Sequence, residues 1–153
     1  MSGLSTEFGS AEESPGLLLW QVTNRWQAAQ RAALKPYDLT HVQFVLLASL
    51  TWLHGAAGGP VTQKALADHA ATDPMMTSQV LRALEARDLL RRLPHPSDRR
   101  ARALAPTDSG AALANRAVAA VEGCDRAFFA ALGNGVGAFT EALHALKPGQ
   151  PPP

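Results

Sequence analysis

Thr77, Ser78, Gln79 and Arg82 stand within six residues of one another. Hydroxyls and amides bond base edges or phosphates, and an arginine can grip guanine O6 and N7 together. By itself the group is equally the polar face of an ordinary helix. A second group follows. Asp98, Arg99, Arg100 and Arg102 lie in and just after the loop PHPSDRR, with Arg91 and Arg92 before it. Arginines on a loop tip suit a narrow, negative groove or a phosphate. Asp98 cannot hold a phosphate, so it is expected to pair with Arg100 or to tie the turn to the domain.

Charge and composition narrow the choice of partner. The chain has 14 Lys+Arg against 13 Asp+Glu, a net of +1. Residues 60–106 hold eight basic and five acidic groups, about +3, and the remainder is about −2. A basic centre in a neutral chain fits a polyanion-binding module, although a solvated charged face has the same composition. Enzyme chemistry finds little support. There is no glycine-rich phosphate loop and no nucleophile elbow. Asp, His and Ser meet in PHPSD, but a loop with two prolines is poor ground for a triad. No catalytic residue, cofactor or metal site is expected. Cys124 is alone, and the five histidines (41, 54, 69, 95 and 144) include no i, i+4 pair. No secretory signal and no long apolar run is visible, so a cytoplasmic protein away from membranes is expected.

These side chains need a frame. Apolar spacing predicts a helix over 15–34, broken by Pro36. Thr40 caps a second helix over about 41–54, apolar nearly all round and therefore central. Thr62 caps a short third helix, with Ala65, Leu66 and His69 read as inward. Thr72 or Asp73 caps a fourth, about 73–87, with Pro74 in its first turn. Its core stripe is read as Met76, Val80 and Leu84, which leaves Thr77, Ser78 and Arg82 outward and Gln79 near the edge. Pro94 and Pro96 forbid a further helix, so LLRRLP and ARALAP read as two short strands around a basic loop. Thr107 opens a long helix over about 108–132 with Ala117, Val121, Cys124, Phe128 and Leu132 on one face. Gly133-Asn134-Gly135 breaks it before a last helix at 136–147. Residues 1–14 read as a disordered tail, and 148–153 as a proline-rich one. The order is that of a helix-turn-helix with a β-wing, whose second helix has the width to enter a major groove.

The sequence resembles the MarR family of winged helix-turn-helix transcription regulators. LTHVQFVLL (residues 39–47) is similar to that family's second-helix signature. MTSQVLRALEARDLLRRLPHPSDRRARAL (residues 76–104) is similar to its recognition helix and wing, including the Asp-x-Arg pattern at Asp98 and Arg100. TDSG (residues 107–110) resembles the start of its long dimerisation helix. Two positions depart. Asp88 stands where a glycine is usual, and aspartate tolerates a left-handed turn. Pro106 replaces an apolar residue where the strand is ending.

The resemblance implies a mostly α fold with a small β-wing. A winged helix-turn-helix lobe at about 40–106 is combined with dimerisation helices at 15–34 and 108–147. It also implies an obligate homodimer on a pseudo-palindromic operator in double-stranded DNA, and most often a repressor relieved by a ligand. The DNA-facing set is then Thr62, Thr77, Ser78, Gln79, Arg82, Arg99, Arg100 and Arg102, with Asp98 stabilising the wing. Leu17, Leu18, Leu19, Trp20, Phe128, Phe129, Leu132 and Phe139 carry more apolar surface than one small domain easily covers. A small aromatic or amphipathic effector is implied in the cleft between the two regions, near Trp26, His41 and Phe44. The alternative is a winged module that keeps the fold for protein interaction and has lost DNA binding. Such a module is expected to lose its wing arginines, and this chain keeps them. Cys124, on an apolar face, is expected to be inert.

Overall fold

Helix α1 (Pro15–Leu34) starts where Ser14 accepts a hydrogen bond from the Leu17 amide at 3.2 Å, with Pro15 in the first turn. The computed structural model describes residues 3–147, and the proline-rich tail at 148–153 lies outside the described residues. Ala11–Glu13 form a 3-10 turn that leads into the Ser14 cap.

Helix α2 (His41–Ala57) opens with a capping box in which Thr40 and Gln43 satisfy each other's backbone amides. It runs three residues past its expected end, because the left-handed stop is Gly58 and not Gly55. Phe44, Leu46, Leu47 and Leu50 are buried on it, and the core gathers around this helix. Next come β1 (Val61–Thr62), α3 (Gln63–Ala70), α4 (Pro74–Ala86), β2 (Leu90–Pro94) and β3 (Arg102–Pro106). Then α5 (Asp108–Phe129), a 3-10 turn at Ala130–Gly135 and α6 (Val136–Leu146) complete the chain. The sheet is antiparallel in the order β1-β3-β2, with Val61 opposite Leu104 and Arg92 opposite Leu104 on the other side. β1 was not expected, since two residues carry no strand period.

Two helix faces differ from the sequence reading. On α3 the buried residues are Leu66 and Ala67, while Ala65 and His69 face out. On α4 the stripe is Thr77, Leu81 and Leu84, and Met76 is 38% exposed. A threonine can occupy the core here because its hydroxyl is satisfied locally. It lies 2.6 Å from the Thr72 hydroxyl and donates to the Asp73 carbonyl at 2.8 Å. α5 ends at Phe129, so Leu132 belongs to the turn, where Gly133 has φ 56°.

Candidate DNA interface

The turn between α3 and α4 is tight. Ala71 closes α3 with φ 53°, and Asp73 caps α4 by accepting from the amides of Met75 (3.2 Å) and Met76 (2.9 Å). With Leu81 and Leu84 inward, α4 presents Met75, Gln79 and Arg82 to solvent, and Ser78 is half-buried beside them. Arg82 donates to the Ser78 hydroxyl at 3.1 Å, so its guanidinium lies along the outer face. Thr77 is the correction in this set. Its side chain is fully buried and its hydroxyl is engaged inside, so it supports the helix and does not face DNA.

The wing tip is built by short-range bonds. His95 Nδ1 accepts from the amides of Ser97 (3.2 Å) and Asp98 (3.0 Å), and Asp98 Oδ1 accepts from the Arg100 amide at 2.9 Å. Asp98 thus fixes the turn through the Arg100 backbone, and the guanidinium stays free of it. Arg99, Arg100 and Arg102 are exposed and enter no ion pair among the described residues. Arg100 and Arg102 line a groove with Thr62, Gln63, Lys64 and Pro74, between the wing and the helix pair. Thr62 caps α3 by accepting from the Ala65 amide at 3.1 Å. Its hydroxyl proton remains available to that groove.

Several supporting contacts escaped the sequence reading. Arg92 is not a free wing cation. Its guanidinium bonds Gln63 Oε1 at 3.0 Å and Glu85 Oε2 at 3.2 Å, bracing the wing strand against α3 and α4. Arg87 donates to the Asp38 carbonyl at 2.7 Å, tying the exit of α4 to the turn after α1. Asp88 adopts φ 58°, the left-handed conformation that aspartate tolerates. Its carbonyl accepts from Thr107 (2.6 Å) and Ser109 (3.0 Å), clamping the start of α5 onto the turn that follows α4.

Above this lobe, the three residues assigned to an effector site divide. Phe44 is buried in the core. Trp26 and His41 meet edge to face with ring centroids 5.0 Å apart. Asp125 of α5 holds this junction, accepting from Trp26 Nε1 at 2.8 Å and from the fully buried Gln30 Nε2 at 2.6 Å. Burial, then the nearby Arg31 charge, lowers the His41 pKa below its usual 6.5, against a smaller opposing effect of Asp125. Burial, with Asp125 as the smaller cause, pushes the Cys124 thiol up, away from the reactive thiolate. No local sequence signal marked this network, since Asp125 stands between Glu122 and Arg126 in an ordinary charged stretch of α5.

The family model described as MarR family matches residues 39–101, which span α2 to the wing tip. The chain is 44% identical over 126 residues to the uncharacterized HTH-type transcriptional regulator YdcH of Bacillus subtilis (strain 168), covering 82% of this chain and 85% of that one. The chain belongs to the MarR family. The HTH-type transcriptional repressor Rv2887 of Mycobacterium tuberculosis (strain ATCC 25618 / H37Rv) is 34% identical over 81% of this MarR-family chain and 86% of its own. Among solved structures, the repressor CouR bound to a 23-mer DNA duplex is 26% identical, with a TM-score of 0.76 over 93% of this chain and 97% of that one. CouR from Rhodococcus jostii RHA1 bound to p-coumaroyl-CoA has a TM-score of 0.82 at 24% identity, over 95% and 100% of the two chains. That second likeness is one of fold.

Proposed function

We propose that this MarR-family transcriptional regulator acts as a cytoplasmic repressor. A homodimer places α4 of each copy in successive major grooves of an operator, with the wing tip over the adjacent minor groove. The observation that carries this reading is the pairing of an uncommitted polar face on α4 with three unpaired arginines on the wing beside it. CouR, of the same fold, is known in complex with a DNA duplex, and Rv2887 is named a repressor.

The dimer is supported by surface that one copy leaves open. α6 buries none of its residues, and Leu18, Leu19, Trp20, Leu143 and Leu146 are 41–75% exposed. An 11-residue helix has little stability without packing, so a second copy is its natural cover. An effector would act where α1, α2 and α5 meet, at the Trp26–His41 contact held by Asp125. Any displacement there moves α5 against the lobe that it clamps through Asp88. CouR's ligand, an aromatic acyl thioester, supports an aromatic or amphipathic class.

The test is fluorescence anisotropy on the DNA upstream of the protein's own gene and on random DNA, at several salt concentrations. Affinity should fall steeply with salt as counterions are released. Arg82→Ala should cost about 1–3 kcal/mol on the operator and much less on random DNA. Arg100→Ala should weaken both and lower the salt slope by about one unit. A flat salt response, or light scattering that gives the 16.2 kDa monomer mass with intact helices, would refute the reading.

A further inference from the structure

Met75 is the large apolar side chain at the outer tip of α4. It is 73% exposed, although a thioether gains by leaving water, and no described element covers it. It stands in the first turn of the helix, after Asp73 and Pro74. Helical spacing sets Ser78, Gln79 and Arg82 on its face, at i+3, i+4 and i+7. In helix-turn-helix proteins the N-terminal residues of the second helix are those that reach base edges.

The same end of α4 is ill suited to a phosphate. The Met75 and Met76 amides, the donors a helix N-terminus would offer an anion, are both taken by the Asp73 carboxylate. That carboxylate is exposed and negative, so it repels the DNA backbone. What remains at the tip is an apolar, flexible side chain. Among the groups that bases display in the major groove, the apolar one is the C5 methyl of thymine. Methionine, unbranched and with three rotatable bonds, adapts its shape to such a methyl.

We propose that Met75 is a specificity-determining residue that reads the C5 methyl of one thymine per half-site, adjacent to the base pairs contacted by Gln79 and Arg82. This rests on α4 being the major-groove helix. No hydrogen bond is involved, so the preference is for the methyl itself and disappears when only the methyl is removed.

The experiment uses the full chain and a random-sequence duplex library. Wild type, Met75→Ala, Met75→Leu, Gln79→Ala and Arg82→Ala are each carried through selection. Each thymine of the wild-type site is then replaced in turn by uracil, which lacks only the methyl. Wild type should show a fixed thymine in each half-site where uracil weakens binding about threefold to tenfold, the scale of one buried methyl. Met75→Ala should bind the thymine and uracil sites equally, and Met75→Leu should keep the discrimination. Two failures are distinguishable. If uracil has no effect at any position, or the same effect on Met75→Ala as on wild type, the assignment of Met75 is overturned. Arg82→Ala or Gln79→Ala would then still alter the selected sequence. If none of the four variants changes the selected sequence, α4 is not the reader, and both proposals fall.

Discussion

Gly110 offers the sharpest perturbation of the joint between α5 and the turn that follows α4. It is the third residue of α5, and a Cβ built on it would stand 1.8 Å from the Leu89 carbonyl oxygen and 2.7 Å from the carbonyl carbon. Real Cβ atoms do not come within 3.0 Å of a neighbour, so the Leu89 carbonyl would have to retreat by about 1.2 Å. That carbonyl accepts from the Thr107 amide at 3.1 Å, and the one before it accepts from Thr107 and Ser109 at 2.6 and 3.0 Å. Three hydrogen bonds therefore loosen together, each worth about 0.5–1.5 kcal/mol, and forced overpacking adds about 1–3 kcal/mol. Helix propensity opposes this, since alanine in place of an interior glycine gains about 1 kcal/mol. The clash wins, and Gly110→Ala should lose roughly 2–6 kcal/mol, a large part of the ~5–15 kcal/mol typical of a domain. Gly55→Ala is the matched control. It is helical with nothing within 4 Å of its Cβ position, so propensity acts alone and stability should rise by about 0.5–1 kcal/mol. The assay is urea unfolding followed by far-UV circular dichroism at one protein concentration, because the proposed dimer would make the midpoint concentration-dependent. Gly110→Ala at or above wild-type stability would refute the close approach.

Thr77→Val should cost about 0.5–1.5 kcal/mol through the lost bonds to Thr72 and Asp73 and leave base preference unchanged. An altered selected sequence would return Thr77 to the DNA face. Asp125→Ala strips the acceptor from Trp26 and from the fully buried Gln30, so a loss of about 2–4 kcal/mol and a shift in tryptophan fluorescence are expected, both smaller for Asp125→Asn. Wild-type stability and unshifted fluorescence in Asp125→Ala would show that the network carries no weight. His41 has a lower pKa folded than unfolded, so the unfolded chain binds more protons between the two values and stability rises with pH there. Stability should begin to fall as pH drops below about 6.5 and finish falling below the folded pKa, with a smaller fall in His41→Gln. Equal slopes in urea titrations of the two proteins between pH 5 and pH 7.5 (roughly one unit either side of the ordinary histidine value) would refute it.

The sequence by itself determined whatever is settled within a few residues of chain. Thr40, Thr62, Asp73 and Thr107 cap the helices that follow them, since a side-chain oxygen reaches an amide two or three positions on. The element order, the wing with its arginines and the left-handed turn at Asp88 were legible for the same reason, and with them the family. Tertiary structure decided what depends on distant partners. Met76, Val80 and Leu84 make as good an apolar row as Thr77, Leu81 and Leu84, and packing against the α2 core chose the second row, with the Thr77 hydroxyl satisfied by Thr72 and the Asp73 carbonyl. Arg92 reads as a free cation until folding brings Gln63, 29 residues away, and Glu85 to it. β1 exists because the edge of β3 is there to pair with it. The Trp26–Gln30–Asp125 network joins side chains 95 and 99 residues apart, a juxtaposition that no local period encodes.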